Sequence, residues 1–241
     1  MQVQNGSIRL FRVFGITVWL HWSWFIVAAL FLTLPALGMN TPVGIFVYLG
    51  LFGIVLLHEF GHALACRSVG GKAETIMLWP LGGIAFVQPP QRPGAVLWSI
   101  AAGPLVNVVL MPITIGLYIL ASIYHTETAF GIGILKLTFD LMVINIGLFV
   151  FNMLPIYPLD GGQILQSILW FFIGQIKSLK VSSLIGLFCA IVGGAYFLMS
   201  GRIWLFAISV FVGLQAYRGW KVAQYLSMQG GGRPPNPWDQ R

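Results

Sequence analysis

Long apolar segments with few charges, separated by short polar breaks, occupy most of this 241-residue chain. Runs of about 20 apolar residues can cross the ~30 Å hydrocarbon core of a bilayer as helices. The pattern predicts about six membrane spans, near residues 19–37, 42–68, 95–123, 132–154, 181–199 and 203–222. The predicted fold class is therefore an all-α polytopic membrane protein.

Two regions instead carry short β-branched and aromatic runs, which are typical of strands. Residues 7–19 (SIRLFRVFGITVW) predict short extended segments at the membrane surface. Residues 72–88 predict a β-hairpin around the PLGG at residues 80–83. Strand-edge amides exposed to lipid would have no partners, so we expect the hairpin in a cleft or at the surface. The sequence thus predicts a small membrane-associated sheet beside the helices.

The composition supports a membrane protein and excludes some partners. Hydrophobic residues make up 58% of the chain and charged residues 8%, against about 25% charged in soluble proteins. The formal net charge is +7, but the basic residues stand singly at the ends of predicted spans. That distribution is typical of membrane topology, whereas a nucleic-acid site needs a basic patch. We expect a lipid bilayer and no nucleic acid as partners.

The basic residues also predict the orientation. An even number of spans places both termini on one side of the membrane. That side collects Arg9, Arg12, Arg67, Lys72, Arg92, Lys177, Lys180, Arg218 and Lys221. By the positive-inside rule both termini are predicted to be cytoplasmic. We expect one transmembrane domain over residues 1–222 and a flexible cytoplasmic tail over 223–241. A prokaryotic inner or plasma membrane is the expected location, with an organellar membrane as the alternative.

The second predicted span contains the sequence His58-Glu59-Phe60-Gly61-His62. Its HExxH spacing places two imidazoles on one helix face with a carboxylate beside the first. These residue types predict two zinc ligands and a general base. Ionisable residues at membrane depth are costly, so such a cluster predicts a functional site. The alternative is a pair of structural core histidines, which leaves the adjacent Glu59 without a purpose.

A catalytic zinc ion needs a third protein ligand and an open position. The acidic residues are few: Glu59, Glu74, Glu127, Asp140, Asp160 and Asp239. Asp160 follows the fourth span at its predicted cytoplasmic end, at about the depth of His58. Nearby prolines and glycines let the backbone turn there. Topology therefore favours Asp160 as third ligand, and the alternative is a cap for the short helix predicted through residue 172.

Four motifs, in their order along the chain, resemble those of the site-2 protease family of intramembrane zinc metalloproteases. HEFGH corresponds to the family's HExxH, and NMLPIYPLDGG at residues 152–162 is similar to its second motif. AGPLVN at residues 102–107 is similar to the element of the intervening span. Residues 14–16 and 21–23 resemble the amino-terminal segment of many prokaryotic members. Some members of the family carry a PDZ domain between these two motifs or a CBS pair after the last span, and we expect neither in this protein.

The resemblance implies a zinc metalloendopeptidase with one zinc ion per chain. The ion would be held by His58, His62 and Asp160, and Glu59 would be the general base. The second, third and fourth spans would form the core around a site near the cytoplasmic face. The expected substrates are single-span transmembrane proteins, cleaved within or near their transmembrane segments. Homo-oligomerisation is left open.

Asn107 and Asn152 stand in apolar helices, where each admits two interpretations. Either amide could hydrogen-bond the substrate or the oxyanion of the tetrahedral intermediate. Either could instead join helices, with Gly103 allowing close approach in the case of Asn107. The family resemblance favours the functional interpretation for Asn152, and both stay open for Asn107.

Two other classes of protein use buried polar residues in a helical bundle. A metal transporter would be expected to carry ligands at several depths, whereas this chain has one cluster with an adjacent Glu. A catalytically inactive adaptor would be expected to lack one of His58, Glu59, His62 or Asp160, and all four are present. We therefore expect a protease.

Overall fold

The computed structural model describes residues 6–33, 42–79 and 82–228. The elements, in chain order, are β1 (Ser7–Val13), β2 (Ile16–His21), α1 (Ser23–Thr33), α2 (Pro42–Ser68), β3 (Lys72–Trp79), β4 (Gly82–Gln88), α3 (Pro93–Tyr124), α4 (Ala129–Asn152), α5 (Asp160–Ile173), α6 (Gln175–Met199) and α7 (Ile203–Met228). They form two compact units, which are described separately. The first contains residues 1–91 and 98–151, and the second contains residues 92–97 and 152–241.

A four-stranded sheet in the order β1-β2-β3-β4 belongs to the first unit. The β1–β2 and β3–β4 pairs are antiparallel hairpins, whereas β2 and β3 run parallel. The strands predicted over residues 7–19 and the hairpin predicted over 72–88 are both confirmed. Residues 80 and 81, between β3 and β4 in sequence, lie outside the described residues.

The predicted start of the first span is wrong. Trp19 was expected to begin a helix, but β2 continues through His21 and α1 begins at Ser23. Strand pairing on both sides explains the difference, because Trp19 pairs with Arg9 of β1 and with Met77 of β3. The predicted end of this span, near residue 37, lies outside the described residues.

Four helices in the described part of the chain are long and apolar enough to cross a membrane. They cover Val43–Ser68, Pro93–Tyr124, Ala129–Asn152 and Gln175–Met199. The described length of α1 is 11 residues, and the second half of α7 carries the basic residues Arg218 and Lys221. Helices that can cross a bilayer and a small sheet confirm the general fold class, while the count of six spans stays a prediction.

The sheet packs on α2, the helix that contains HEFGH. Apolar side chains of β2 and β3, including Ile16, Val18 and Ile76, are fully buried against Val55 and Cys66 of α2. Burying one large aliphatic side chain stabilises a fold by about 1.5–3 kcal/mol. The packing therefore attaches both hairpins firmly to the helix that carries the candidate chemistry.

The second unit packs α5, α6 and α7 through small residues. Gly186 and Gly219 both lie against Tyr157, and the Ser182 hydroxyl donates a hydrogen bond to the Gly162 carbonyl at 2.7 Å. Small residues let helix backbones approach closely where lipid gives little hydrophobic driving force. The short helix predicted through residue 172 is confirmed as α5. Residues 223–228 of the predicted tail end α7, and residues 229–241 lie outside the described residues.

Candidate metal centre

The two histidines of HEFGH lie together inside the first unit. Their spacing on α2 places both rings on one face, where His58 is 3% exposed and His62 is 8% exposed. The two Nε2 atoms are 3.1 Å apart. Glu59, between them in sequence, is also buried. The arrangement predicted from the HExxH spacing is thus present.

A chain of amide hydrogen bonds determines the orientation of the His58 ring. Asn145 of α4 donates to the backbone carbonyl of Asn107 at 3.0 Å, and the Asn107 amide nitrogen donates to Asn145 Oδ1 at 2.8 Å. The Asn107 Oδ1 atom is thereby turned toward His58 Nδ1, at 2.6 Å. An amide oxygen can only accept, so His58 Nδ1 is the donor. In the neutral ring, the lone pair of His58 is therefore on Nε2.

His62 is held in the same tautomer by a backbone acceptor. Its Nδ1 donates to the Ser99 carbonyl at 2.9 Å. In their neutral forms, the two rings therefore direct their Nε2 lone pairs into one small space. Lone pairs at this distance repel each other unless a proton or a cation lies between them. Histidine metal ligands characteristically donate the other ring N–H to an oxygen, so these two residues fit a zinc ion.

Two glycines allow α3 to approach the histidines. A Cβ atom on Gly61 would lie 2.6 Å from the Ala102 carbonyl oxygen, and one on Gly103 would lie 2.2 Å from His62 Nε2. Real Cβ atoms do not make such contacts. Ser99, Gly103 and Asn107 recur every four residues, so one face of α3 receives both rings. This explains the spacing of the AGPLVN segment.

Asp160 and Asn152 belong to the second unit. Asn152 ends α4, and Asp160 is the first residue of α5. The N-cap position is occupied by Leu159, so Asp160 does not take the N-cap position considered for it. A Cβ atom on Gly161 would lie 2.4 Å from the Met153 carbonyl oxygen. The glycines after Asp160 therefore let the loop between α4 and α5 pack closely against the first turn of α5.

The structure brings together four of the six residues selected from the sequence: His58, Glu59, His62 and Asn107. It also places Asn145 and the Ser99 carbonyl in contact with this group, and sequence reasoning missed both. Asn145 carried the same signal as Asn107, a lone amide in an apolar helix. A backbone carbonyl has no sequence signal.

Helices able to cross a bilayer, with a buried HExxH histidine pair, define a membrane-embedded metalloprotein of the HExxH class. The chain belongs to peptidase family M50, the family of the site-2 proteases. The family's model matches residues 46–131 and 119–193, which include HEFGH, AGPLVN and LDGG.

Comparisons with individual proteins support membership of this family. The chain is 34% identical to "Zinc metalloprotease MJ0392" of Methanocaldococcus jannaschii over 86% of this chain and 59% of the relative. It is 34% identical to "Putative zinc metalloprotease sll0528" of Synechocystis over 77% of this chain and 50% of the relative. The chain thus spans between half and three fifths of these curated relatives. The structure titled "Site-2 Protease from Methanocaldococcus jannaschii" matches with a TM-score of 0.63 and 30% identity, over 89% of this chain and 95% of that one.

Proposed function

We propose that this protein is an intramembrane zinc endopeptidase that hydrolyses peptide bonds within or near the transmembrane segments of single-span membrane proteins. The observation that carries the proposal is the convergence of the His58 and His62 Nε2 atoms, with each Nδ1 committed to an oxygen acceptor. Membership of peptidase family M50 supports it.

In this proposal His58, His62 and Asp160 hold one zinc ion. Two imidazoles and a carboxylate are a suitable catalytic donor set, because three protein ligands leave one position open. Asp160 is supported by its match to the LDG motif and by the Gly161 and Gly162 that follow it. A bound zinc ion supplies Lewis acidity, which lowers the pKa of a water molecule to about 7 and polarises a carbonyl group.

Glu59 is the proposed general base. Its carboxylate takes a proton from the attacking water and then delivers that proton to the nitrogen of the leaving amine. We assign the oxyanion contact to the Asn152 amide. The Asn107 amide already contacts His58 through Oδ1 and Asn145 through Nδ2, so we assign Asn107 to orienting His58.

Zinc content and substrate accumulation test these roles separately. Glu59→Gln should keep zinc but lose turnover, so uncut single-span proteins should accumulate in cells that produce the variant. Asp160→Asn should lose both zinc and turnover. Asp140→Asn is the matched control, because Asp140 lies in α4 and pairs with Lys136. Full zinc content in Asp160→Asn would contradict the ligand assignment, and unchanged membrane proteomes with Glu59→Gln would contradict the proposed protease.

Substrate binding by strand addition fits the position of β4. Hydrolysis needs an extended segment, and β4 ends the strand order among the described strands. An added strand would be held by main-chain hydrogen bonds, which tolerate many sequences. We therefore propose that the unwound substrate pairs with the outer edge of β4, close in sequence to the HEFGH helix.

Proline substitutions in β4 test strand addition. Successive backbone amides of a strand point to opposite sides, so one of Ile84→Pro and Ala85→Pro should remove an outward N–H. That variant should cleave more slowly while its zinc content stays at the wild-type level. The other variant should weaken pairing with β3 instead. If neither variant lowers the cleavage rate, strand addition on β4 is wrong.

We also propose that six spans place both termini and the metal centre near the cytoplasmic face of a prokaryotic membrane. Arg67 in the last turn of α2 and the basic residues in the second half of α7 support this orientation. Reporter domains fused before residue 6 and after residue 228 should both be active only in the cytoplasm. Activity on opposite sides would contradict the even number of spans.

A further inference from the structure

A basic cavity opens where α2 ends and β3 begins. Its volume is about 350 Å³, and it is lined by Arg12, Gly15, Arg67, Gly71, Lys72, Ala73 and Glu74. Three cationic side chains thus face one carboxylate, and all four are exposed. None of these residues belongs to the metal centre or to the proposed mechanism.

Contacts within the fold fix part of the cavity wall. The Arg67 guanidinium donates to the Phe14 carbonyl, which fixes it beneath the β1–β2 turn. Gly71 is equally constrained, because a Cβ atom there would lie 2.5 Å from the Cys66 sulfur. The backbone of Arg12 is held by the register of β1, where it pairs with Thr17.

Its level in the membrane follows from the length of α2. The apolar span from Val43 to Ser68 contains 26 residues, or about 39 Å at ~1.5 Å per residue. That exceeds the ~30 Å hydrocarbon core, so the charged end at Arg67 reaches the headgroup layer. Basic pockets at this level are suited to lipid headgroups.

Two exposed apolar residues, Val13 and Phe14, lie in sequence between the cavity residues Arg12 and Gly15. Phe14 at the tip of the β1–β2 turn is 71% exposed, and its backbone has a φ of 49°. A two-residue turn with positive φ at both positions favours Asn, Asp or Gly, so a bulky aromatic residue there is unusual. Val13 beside it is exposed as well. A lipid environment gives these exposed side chains an apolar partner.

We propose that the cavity formed by Arg12, Arg67 and Lys72 binds the phosphate group of an anionic phospholipid, with Val13 and Phe14 in contact with its acyl chains. A guanidinium presents paired N–H donors that match phosphate oxygens, and a lysine ammonium adds a second point of charge. Glu74 lowers the attraction for anions, so it limits the affinity of the site.

Lipid titration of the purified full chain tests the site. The protein in mixed micelles would be titrated with phosphatidylglycerol and, separately, with phosphatidylcholine, and bound lipid would be counted by native mass spectrometry. The double variant Arg12→Gln/Lys72→Gln keeps the Arg67–Phe14 contact and should bind phosphatidylglycerol about 25-fold more weakly, at about fivefold per charge. Glu74→Gln should bind it more tightly. Phosphatidylcholine should bind weakly to every variant.

The matched control is Lys177→Gln/Lys180→Gln, which removes two exposed charges at the start of α6. It should bind phosphatidylglycerol as the wild type does. Equal losses in the control and cavity variants would overturn the proposal in favour of general electrostatics. So would unchanged or weaker binding by Glu74→Gln. A third experiment adds inorganic phosphate as a competitor. If it displaces phosphatidylglycerol at a concentration comparable to that of the lipid, the site takes free phosphate and the lipid assignment is wrong.

Discussion

Gly103 of α3 lies directly against the imidazole of His62, so closely that a Cβ atom would be 2.2 Å from Nε2. That nitrogen is the proposed zinc ligand atom, and its ring is held from the other side by the Ser99 carbonyl. The absence of a side chain at residue 103 is therefore part of the candidate metal centre. Gly61 of α2 also lacks a side chain where α2 and α3 approach each other closely.

Gly103→Ala should abolish or strongly reduce zinc binding. The methyl group must displace the His62 ring, and overpacking of this kind costs about 1–3 kcal/mol. Zinc content after purification is the measurement. Gly116→Ala is the matched control in the same helix, because nothing lies within 4 Å of a Cβ atom there. Normal zinc content in Gly103→Ala would show that the His62 ring is not confined by α3.

Asn107→Leu should weaken zinc binding without removing a ligand. The His58 Nδ1–H would lose its acceptor, and losses of this kind reduce metal affinity about 10–100-fold. Asn107→Asp keeps an acceptor oxygen for the ring and should retain most of the affinity. Competition against a zinc chelator gives both values. Equal affinity of the leucine variant and the wild type would mean that Asn107 does not orient His58.

Gly219→Ala should destabilise the second unit. Its methyl carbon would lie 2.7 Å from both Ser183 Oγ and Tyr157 Cε1, so the α6–α7 packing would have to open at a cost of about 1–3 kcal/mol. Gly193→Ala is the control, because its nearest atom would be 3.8 Å away, and alanine favours a helix by about 0.5–1 kcal/mol. Thermal unfolding in detergent should therefore shift in opposite directions for the two variants.

The Tyr157 phenol should make unfolding depend on pH in alkaline solution. Burial raises its pKa above the ordinary value of 10.0, because the charged form is poorly solvated. Above pH 10 the unfolded chain loses this proton before the folded one. The free energy of unfolding should then fall as the pH rises toward the folded-state pKa. The free energy of unfolding of the wild type minus that of Tyr157→Phe should be constant below pH 10 and should decrease above it. Curves of unfolding free energy against pH that stay parallel for the two proteins above pH 10 would contradict this.

The local elements follow closely from residue pattern. Long apolar runs with few charges predicted the helices from α2 onward, and β-branched runs predicted the strands, because helix and strand periods depend on near neighbours. The start of the first span was wrong because Trp19 lies in a strand paired with two others. Its partner Met77 is distant in sequence, and no local pattern reports such a pairing.

The sequence by itself determined the residue types of the candidate metal centre, namely two imidazoles one helical turn apart with a carboxylate between them, and the family to which these motifs belong. Only the tertiary structure decided which ring nitrogen is available, because that depends on the Asn107 amide, the Asn145 amide beyond it and the Ser99 carbonyl. It likewise decided that β2 and β3 pair in parallel and place Arg12 beside Arg67 and Lys72. Residue types determine what a side chain can donate or accept, whereas long-range packing selects its partner.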